Sequence, residues 1–211
     1  MMDLAGVAYQ ISVWALPVII AITFHEAAHG WMAERLGDDT ARRLGRVTLN
    51  PVKHVDPFGT IILPGLLLLL RAPFIFGYAK PVPVAFHRLN NPKRDMIWVA
   101  LAGPGMNIVL ALVSAVGLRY AMHLPDFAVG WGVANLERSI LINVVLAVFN
   151  MVPIPPLDGG SVLAGVLPYR LAEMLDTVRP YGFLLLYALM LTGILWQVIV
   201  PPYTLLLSWL L

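Results

Sequence analysis

Long apolar runs, separated by narrow clusters of charge, dominate this chain. Residues 4–24 are 21 without a charge, 96–118 are 23, 139–157 are 19 and 181–211 are 31. A helix needs about 20 apolar residues to cross a bilayer, so the pattern predicts about four spans, at 4–34, 96–119, 138–156 and 181–200. The first has Asp3 as its only early charge and no small-residue cleavage site, so it reads as a retained span and not as a signal peptide. The last stretch, broken at Pro201-Pro202, is expected to cross once. A fifth run, 57–70, is only 14 residues long and contains Pro64-Gly65. With the short run 72–79 and the proline-rich Lys80-Pro81-Val82-Pro83, it predicts a membrane re-entrant helix/β-hairpin element over 57–84, with an extended limb. Non-helical backbone at that depth must be covered by protein or face a wet cavity.

Charge fixes the orientation this layout needs. Arg35, Arg42, Arg43, Arg46 and Lys53 precede the short run, and Lys80, Arg88, Lys93 and Arg94 follow it. A single crossing between them would put two basic loops on opposite faces, against the positive-inside tendency; a re-entrant element leaves both cytoplasmic. The N-terminus then lies outside, with only Arg119 and Arg138 bordering the 119–138 loop. Composition agrees: 59% of the 211 residues are hydrophobic, 12% are charged and the mean hydropathy is +0.79. A soluble domain carries about 25% charge. The expected fold is an all-α polytopic membrane protein, one domain over 1–211, in contact with the lipid bilayer. The net charge of +2 excludes a polyanion-binding signature, so no nucleic-acid partner is expected. The absence of cysteine excludes disulfides, a thiol nucleophile and thiolate metal ligands.

Candidate chemistry sits inside the apolar pattern. His25-Glu26-Ala27-Ala28-His29 puts two imidazoles at i and i+4 on one helical face, a spacing that can hold a zinc ion, with Glu26 placed to act as general base toward water at the metal. Each ionisable group in a lipid-embedded helix costs on the order of 2–3 kcal/mol unless it is paired or solvated. His25 lies roughly 15 Å along the helix from Arg35, too deep to snorkel comfortably. A catalytic zinc usually takes three protein ligands, and without cysteine the third must be His, Asp or Glu. Asp158 leads, at the end of Asn150-Met151-Val152-Pro153-Ile154-Pro155-Pro156-Leu157-Asp158-Gly159-Gly160, where prolines and glycines must break the helix. Its competing reading is an N-cap of the helix that follows. The first helix and the 139–157 helix run in the same direction, which brings the histidines and Asp158 to the same, cytoplasmic side. His54 is an accessory candidate ligand or gate, read foremost as structural. Asn107 and Asn143 read as interhelical packing, His87 and His123 as loop residues.

These segments together resemble the site-2 protease family of intramembrane zinc metalloproteases. HEAAH, Ala102-Gly103-Pro104-Gly105-Met106-Asn107 and the Asn150–Gly160 motif carry the likeness over about residues 20–165. Asn50-Pro51-Val52-Lys53-His54-Val55-Asp56-Pro57 and Phe76-Gly77-Tyr78-Ala79-Lys80-Pro81-Val82-Pro83 further resemble its short bacterial branch. The resemblance implies one Zn2+ per chain on His25, His29 and Asp158, and Glu26 as the catalytic base. It also implies Asn150 and Pro156 as substrate-binding residues, transmembrane segments of membrane proteins as substrates, and a place in the bacterial inner membrane. Many relatives carry a PDZ or CBS domain; these 211 residues hold neither. The competing functional reading is a metal-ion transporter or channel using the same ligands; a third is a catalytically silent binder of single-pass helices.

Overall fold

The computed structural model describes residues 4–71 and 77–211. Helix α1 (Leu4–Arg35) runs 32 residues, about 48 Å at 1.5 Å per residue, longer than a 30 Å hydrocarbon core requires. A polar turn holds α2 (Thr40–Arg43). Short helical turns over Pro51–His54 and Pro57–Ile62 lead into α3 (Leu63–Leu69). After residues 77–85, which are extended, come α4 (Pro92–Tyr120) and α5 (Asp126–Asn150), joined by so short a connection that they pack as antiparallel neighbours. A proline-rich loop leads to α6 (Asp158–Val166), then α7 (Tyr169–Val178), α8 (Gly182–Leu191) and α9 (Ile194–Leu210). Four helical stretches are long and apolar enough to cross a membrane: Leu4–Arg35, Pro92–His123, Asp126–Asn150 and Tyr169–Leu191.

The centre is a three-helix packing of α1, α4 and α5, with α6 against α4 and α9 against α5. Small residues make it possible. Ala100, Gly103, Asn107, Ala111 and Ser114 recur at i, i+3 or i+4 along one buried face of α4, and Ala21, Ala28 and Ala33 are buried on α1. Between apolar helices in lipid there is no hydrophobic gain to be had from association, so close backbone approach and interhelical hydrogen bonds hold the bundle. Asn107 and Asn143 are both fully buried and bonded, and Ser114 and Ser139 share a 2.7 Å bond.

Three expectations shift. The third long helix starts at Asp126, not near 138, and ends at Asn150. Arg138 looked like its edge, but it lies inside the helix with its guanidinium 4.9 Å from the Trp14 ring. The C-terminal stretch breaks at Gly193, not at Pro201-Pro202. Gly193 takes φ +76°, which an L side chain rarely adopts, and both prolines continue α9. The stretch containing 181–200 is thus divided: Tyr169–Leu191 precedes the break and α9 follows it. The hairpin part of the 57–84 element also differs: none of the described residues belongs to a β-ladder, and residues 77–85 lie in no helix, with Tyr78, Lys80 and Val82 bonded at the two-residue spacing of an extended limb. Phe76 and the rest of 72–76 lie outside the described residues.

Candidate metal centre

Helix α1 turns His25 and His29 toward α4, where Gly103 leaves room for them. A Cβ at Gly103 would fall on the His29 Nε2 and the Cε1 atoms of both rings. The neighbours of each ring fix its tautomer. Asn107 Nδ2 donates to Ala21 O (3.2 Å) and to Asn143 Oδ1 (2.8 Å), so its Oδ1 is the atom that faces His25 Nδ1 at 2.6 Å. An amide oxygen only accepts, so His25 Nδ1 carries the hydrogen. His29 Nδ1 donates to Val99 O at 2.7 Å by the same logic. In the neutral rings both Nε2 atoms therefore present lone pairs, 3.0 Å apart. Asp158 closes the triangle, with Oδ2 3.2 Å from His25 Nε2 and Oδ1 3.4 Å from His29 Nε2. Its Oδ2 is buried without a hydrogen-bond partner.

Three converging lone-pair donors with no hydrogen between them repel one another unless a cation lies in their midst. Zinc bonds of about 2.0–2.1 Å in a tetrahedron separate ligand atoms by about 3.3 Å, which is close to the spacings here. The donor set and its orphaned oxygen fit a zinc ion. Both histidines also hand their second nitrogen to an acceptor on α4, the outer contacts that fix ring orientation in metal sites.

Asp158 reaches the histidines because the chain after α5 folds tightly. Pro153, Pro155 and Pro156 prevent α5 from continuing, and the Pro155–Pro156 bond is cis. Cβ atoms at Gly159 and Gly160 would overlap the carbonyl of Met151 and the backbone of Pro155, so α6 can begin directly against the loop. Val152 and Leu157 anchor it in a buried cluster with Leu186, Leu195 and Ile199. The N-cap position belongs to Leu157, and Asp158 makes no capping bond. Of its two sequence readings, the one facing the histidines is the one adopted.

Glu26 follows His25 on α1, and its Oε2 accepts the Val82 amide at 2.8 Å. Val82 belongs to the extended limb, which is tied down at Tyr78, Lys80, Val82 and, at its end, Ala85. Tyr78 N donates to Gly59 O (3.0 Å), and Tyr78 O accepts Thr60 Oγ1 (3.0 Å). Lys80 N donates to His54 O (2.9 Å), and Lys80 O accepts Arg46 Nη2 (2.6 Å). Ala85 N ends the series on Asp38 Oδ2 (2.6 Å). In extended backbone the residues between turn the other way, and the carbonyls of Ala79, Pro81 and Pro83 have no hydrogen-bond partner among the described residues. This limb flanks a cavity of about 490 Å³ that Glu26, both histidines and Asp158 also line.

A model of peptidase family M50 matches residues 13–126 and 128–192, nearly the whole chain. The chain belongs to peptidase family M50. Among its relatives, the Bacillus subtilis protein YwhC is 36% identical over 182 residues, covering 84% of this chain and 79% of that one. Rip2 of Mycolicibacterium smegmatis is 33% identical over 175 residues (82% and 64%), and Rip2 of Mycobacterium tuberculosis 31% over 174 residues (82% and 64%). All three are named as zinc metalloproteases. No solved structure matches. The resemblance to site-2 proteases is thereby shown, and with it a zinc metalloendopeptidase in an integral membrane protein.

In this M50 peptidase the sequence-chosen residues divide cleanly. Asn150 and Pro156 line the same cavity as Glu26 and the donor triad, Asn150 with its Nδ2 on Leu146 O at 2.9 Å. His54 stands apart: it is buried (2% exposed), its Nε2 is bonded to Thr48 O at 2.9 Å, and it neither joins the donor group nor lines the cavity. Asn107 was legible only as packing, yet it orients His25. Its register four residues after Gly103, on the face of α4 that meets the histidines, was the available signal. The Val99 carbonyl and the Val82 amide left none, since a backbone group has no residue type.

Proposed function

We propose that this M50 peptidase hydrolyses a peptide bond within or next to a transmembrane segment of a membrane-protein substrate, with His25, His29 and Asp158 holding the zinc and Glu26 as general base. The observation that carries the reading is the meeting of two imidazole nitrogens, the Asp158 carboxylate and a separate carboxylate on one cavity among apolar helices. Zinc held there supplies a Lewis acid that polarises carbonyls and acidifies water. Glu26 Oε2 is held by the Val82 amide, and Oε1 carries no hydrogen bond among the described residues. That oxygen takes a proton from the attacking water as the new C–O bond forms. Glu26 then delivers a proton to the amine nitrogen as the C–N bond breaks.

A transmembrane helix hides its amides in internal hydrogen bonds, so the scissile stretch must unwind. The partnerless carbonyls of the limb offer an extended substrate the acceptors its N–H groups lose, an edge-pairing mode. Asn150 and Pro156, across the cavity, would hold the strand's other side. The basic clusters on either side of 57–79 support a re-entrant element, cytoplasmic loops near residues 45 and 90, and a site toward the cytoplasmic side of a bacterial inner membrane. Single cysteines at those two positions, labelled in intact cells, should react from the same side; opposite sides would remove the re-entrant assignment.

The decisive experiment compares Glu26→Gln with Asp158→Ala in bound zinc, crosslinking to a substrate helix and cleavage. Glu26→Gln should keep zinc and substrate while cleavage falls to or beyond the upper end of the ~10²–10⁴-fold usual for loss of a general base. Asp158→Ala should lose zinc. Near-normal cleavage by Glu26→Gln would return the weight to a metal-ion transporter.

A further inference from the structure

We propose that the limb has a second task besides substrate docking: its Val82 amide is the positioning group for the Glu26 carboxylate, and Arg46 is the side chain that sets the height of the limb so that this amide reaches it. The inference rests on Glu26 being the base and adds the means by which that base is aimed.

A glutamate side chain has three rotatable bonds, and a general base must be held within a fraction of an ångström of the proton it removes. The described residues give the Glu26 carboxylate one fixed donor, Val82 N–H at 2.8 Å. This amide points toward α1, away from the edge on which Ala79, Pro81 and Pro83 expose their carbonyls. Docking and base-orientation are therefore separate edges of one extended segment. Gly30, one turn after Glu26, provides the close approach: a Cβ there would sit 3.1 Å from Val82 Cγ1.

What fixes the register lies two residues upstream. Both backbone groups of Lys80 are held, its N–H by the His54 carbonyl and its carbonyl by Arg46 Nη2 at 2.6 Å. Arg46 is only 7% exposed, lies in no ion pair among the described residues, and leaves its buried Nε without a partner. A guanidinium is costly to bury in this way. A residue spending its charge on one main-chain carbonyl is placed to hold that carbonyl. Slippage of the limb by even 1 Å would leave Glu26 misaimed, and misplacement of that size can cost ~10²-fold in rate.

Val82→Pro tests the amide directly. It deletes the N–H together with the valine isopropyl group, in a segment where residues 81 and 83 are already proline, and leaves the docking carbonyls in place. With purified protein and a labelled membrane-helix substrate, kcat should fall ~10–100-fold while KM and bound zinc stay within about twofold. Val82→Ala keeps the N–H and should retain a kcat several-fold above that of Val82→Pro. Arg46→Ala should lower kcat in the same sense, and Arg46→Lys, which can still donate to the Lys80 carbonyl, should recover part of it. A rise in KM at unchanged kcat would overturn the proposal and leave the limb as a docking edge only. Unchanged kcat in Val82→Pro, or in zinc-loaded Arg46→Ala should Val82→Pro fail to fold, would also overturn it. So would loss of zinc in both, since the limb would then act on the metal site. Glu26→Gln in parallel separates the two levels: if it stays active the base assignment fails, and if it is dead while Val82→Pro turns over normally, only this inference fails.

Discussion

His25 and Glu26 are adjacent in the chain but are held by unlike parts of the molecule. The histidines lean on α4, a long helix packed along its length through small residues, whose Val99 carbonyl and Asn107 side chain fix both rings. Glu26 leans on an extended segment tied by single bonds to α1, to the turns Pro51–His54 and Pro57–Ile62, and to Asp38 and Arg46 on either side of α2. A helix in a bundle cannot shift one residue without disturbing many contacts; a limb held by single bonds can. Metal binding is thus rooted in the rigid part of the fold and the orientation of the base in the adjustable part. The two should come apart under mutation.

The largest effect should come from the α4 side. Gly103→Ala puts a methyl group where both imidazoles stand, and zinc affinity should drop by more than the ~10–100-fold of a lost outer contact, read by metal content after competition with a chelator. Asn107→Leu removes the acceptor for His25 Nδ1 but adds no clash, so its loss should stay within ~10–100-fold in the same assay. The smallest effect should come from the far end of the limb. Asp38→Asn weakens the tie to Ala85 N and should cost about 1.5–3 kcal/mol, as for hydrogen bonds to a charged group, with zinc retained. Loss of zinc in Asp38→Asn would erase the distinction between the two regions.

The same variant has a pH signature. Burial pushes the Asp38 carboxyl upward, but the Thr40 hydroxyl and amide, the Ala85 amide and the nearby Arg88 outweigh it, and its pKa lies below the ordinary 3.8. A group depressed on folding stabilises the native state above its unfolded pKa and loses that contribution as pH falls through the folded value. The melting-temperature gap between the native protein and Asp38→Asn should therefore be full above about pH 5 and close as the pH falls below 3.8.

These contrasts also explain what the sequence could reveal. His25, Glu26, His29 and Asp158 stood out because ionisable groups are scarce in apolar runs and only a few residue types bind zinc. The length of the apolar runs told of an all-α membrane fold, yet charge alone misplaced the helix ends. Arg138 was taken for a boundary because its stacking on Trp14, 124 residues earlier in the chain, has no local signature. Prolines 201 and 202 looked like a break that Gly193 makes instead, since a glycine's φ is set by its surroundings. The grip of Arg46 on Lys80 and of Val82 on Glu26 ends on main-chain atoms, which no residue pattern can announce.

The prolines at 81 and 83 carry one more consequence. An unpaired strand edge invites any other edge, including that of a second copy of the same chain. Two such limbs laid together would each offer carbonyls where the other needs amides, because proline has no N–H to give. The limb is open to a guest that brings its own donors and closed to its twin, which lets a protease crowded among its own copies in a membrane keep its cleft free.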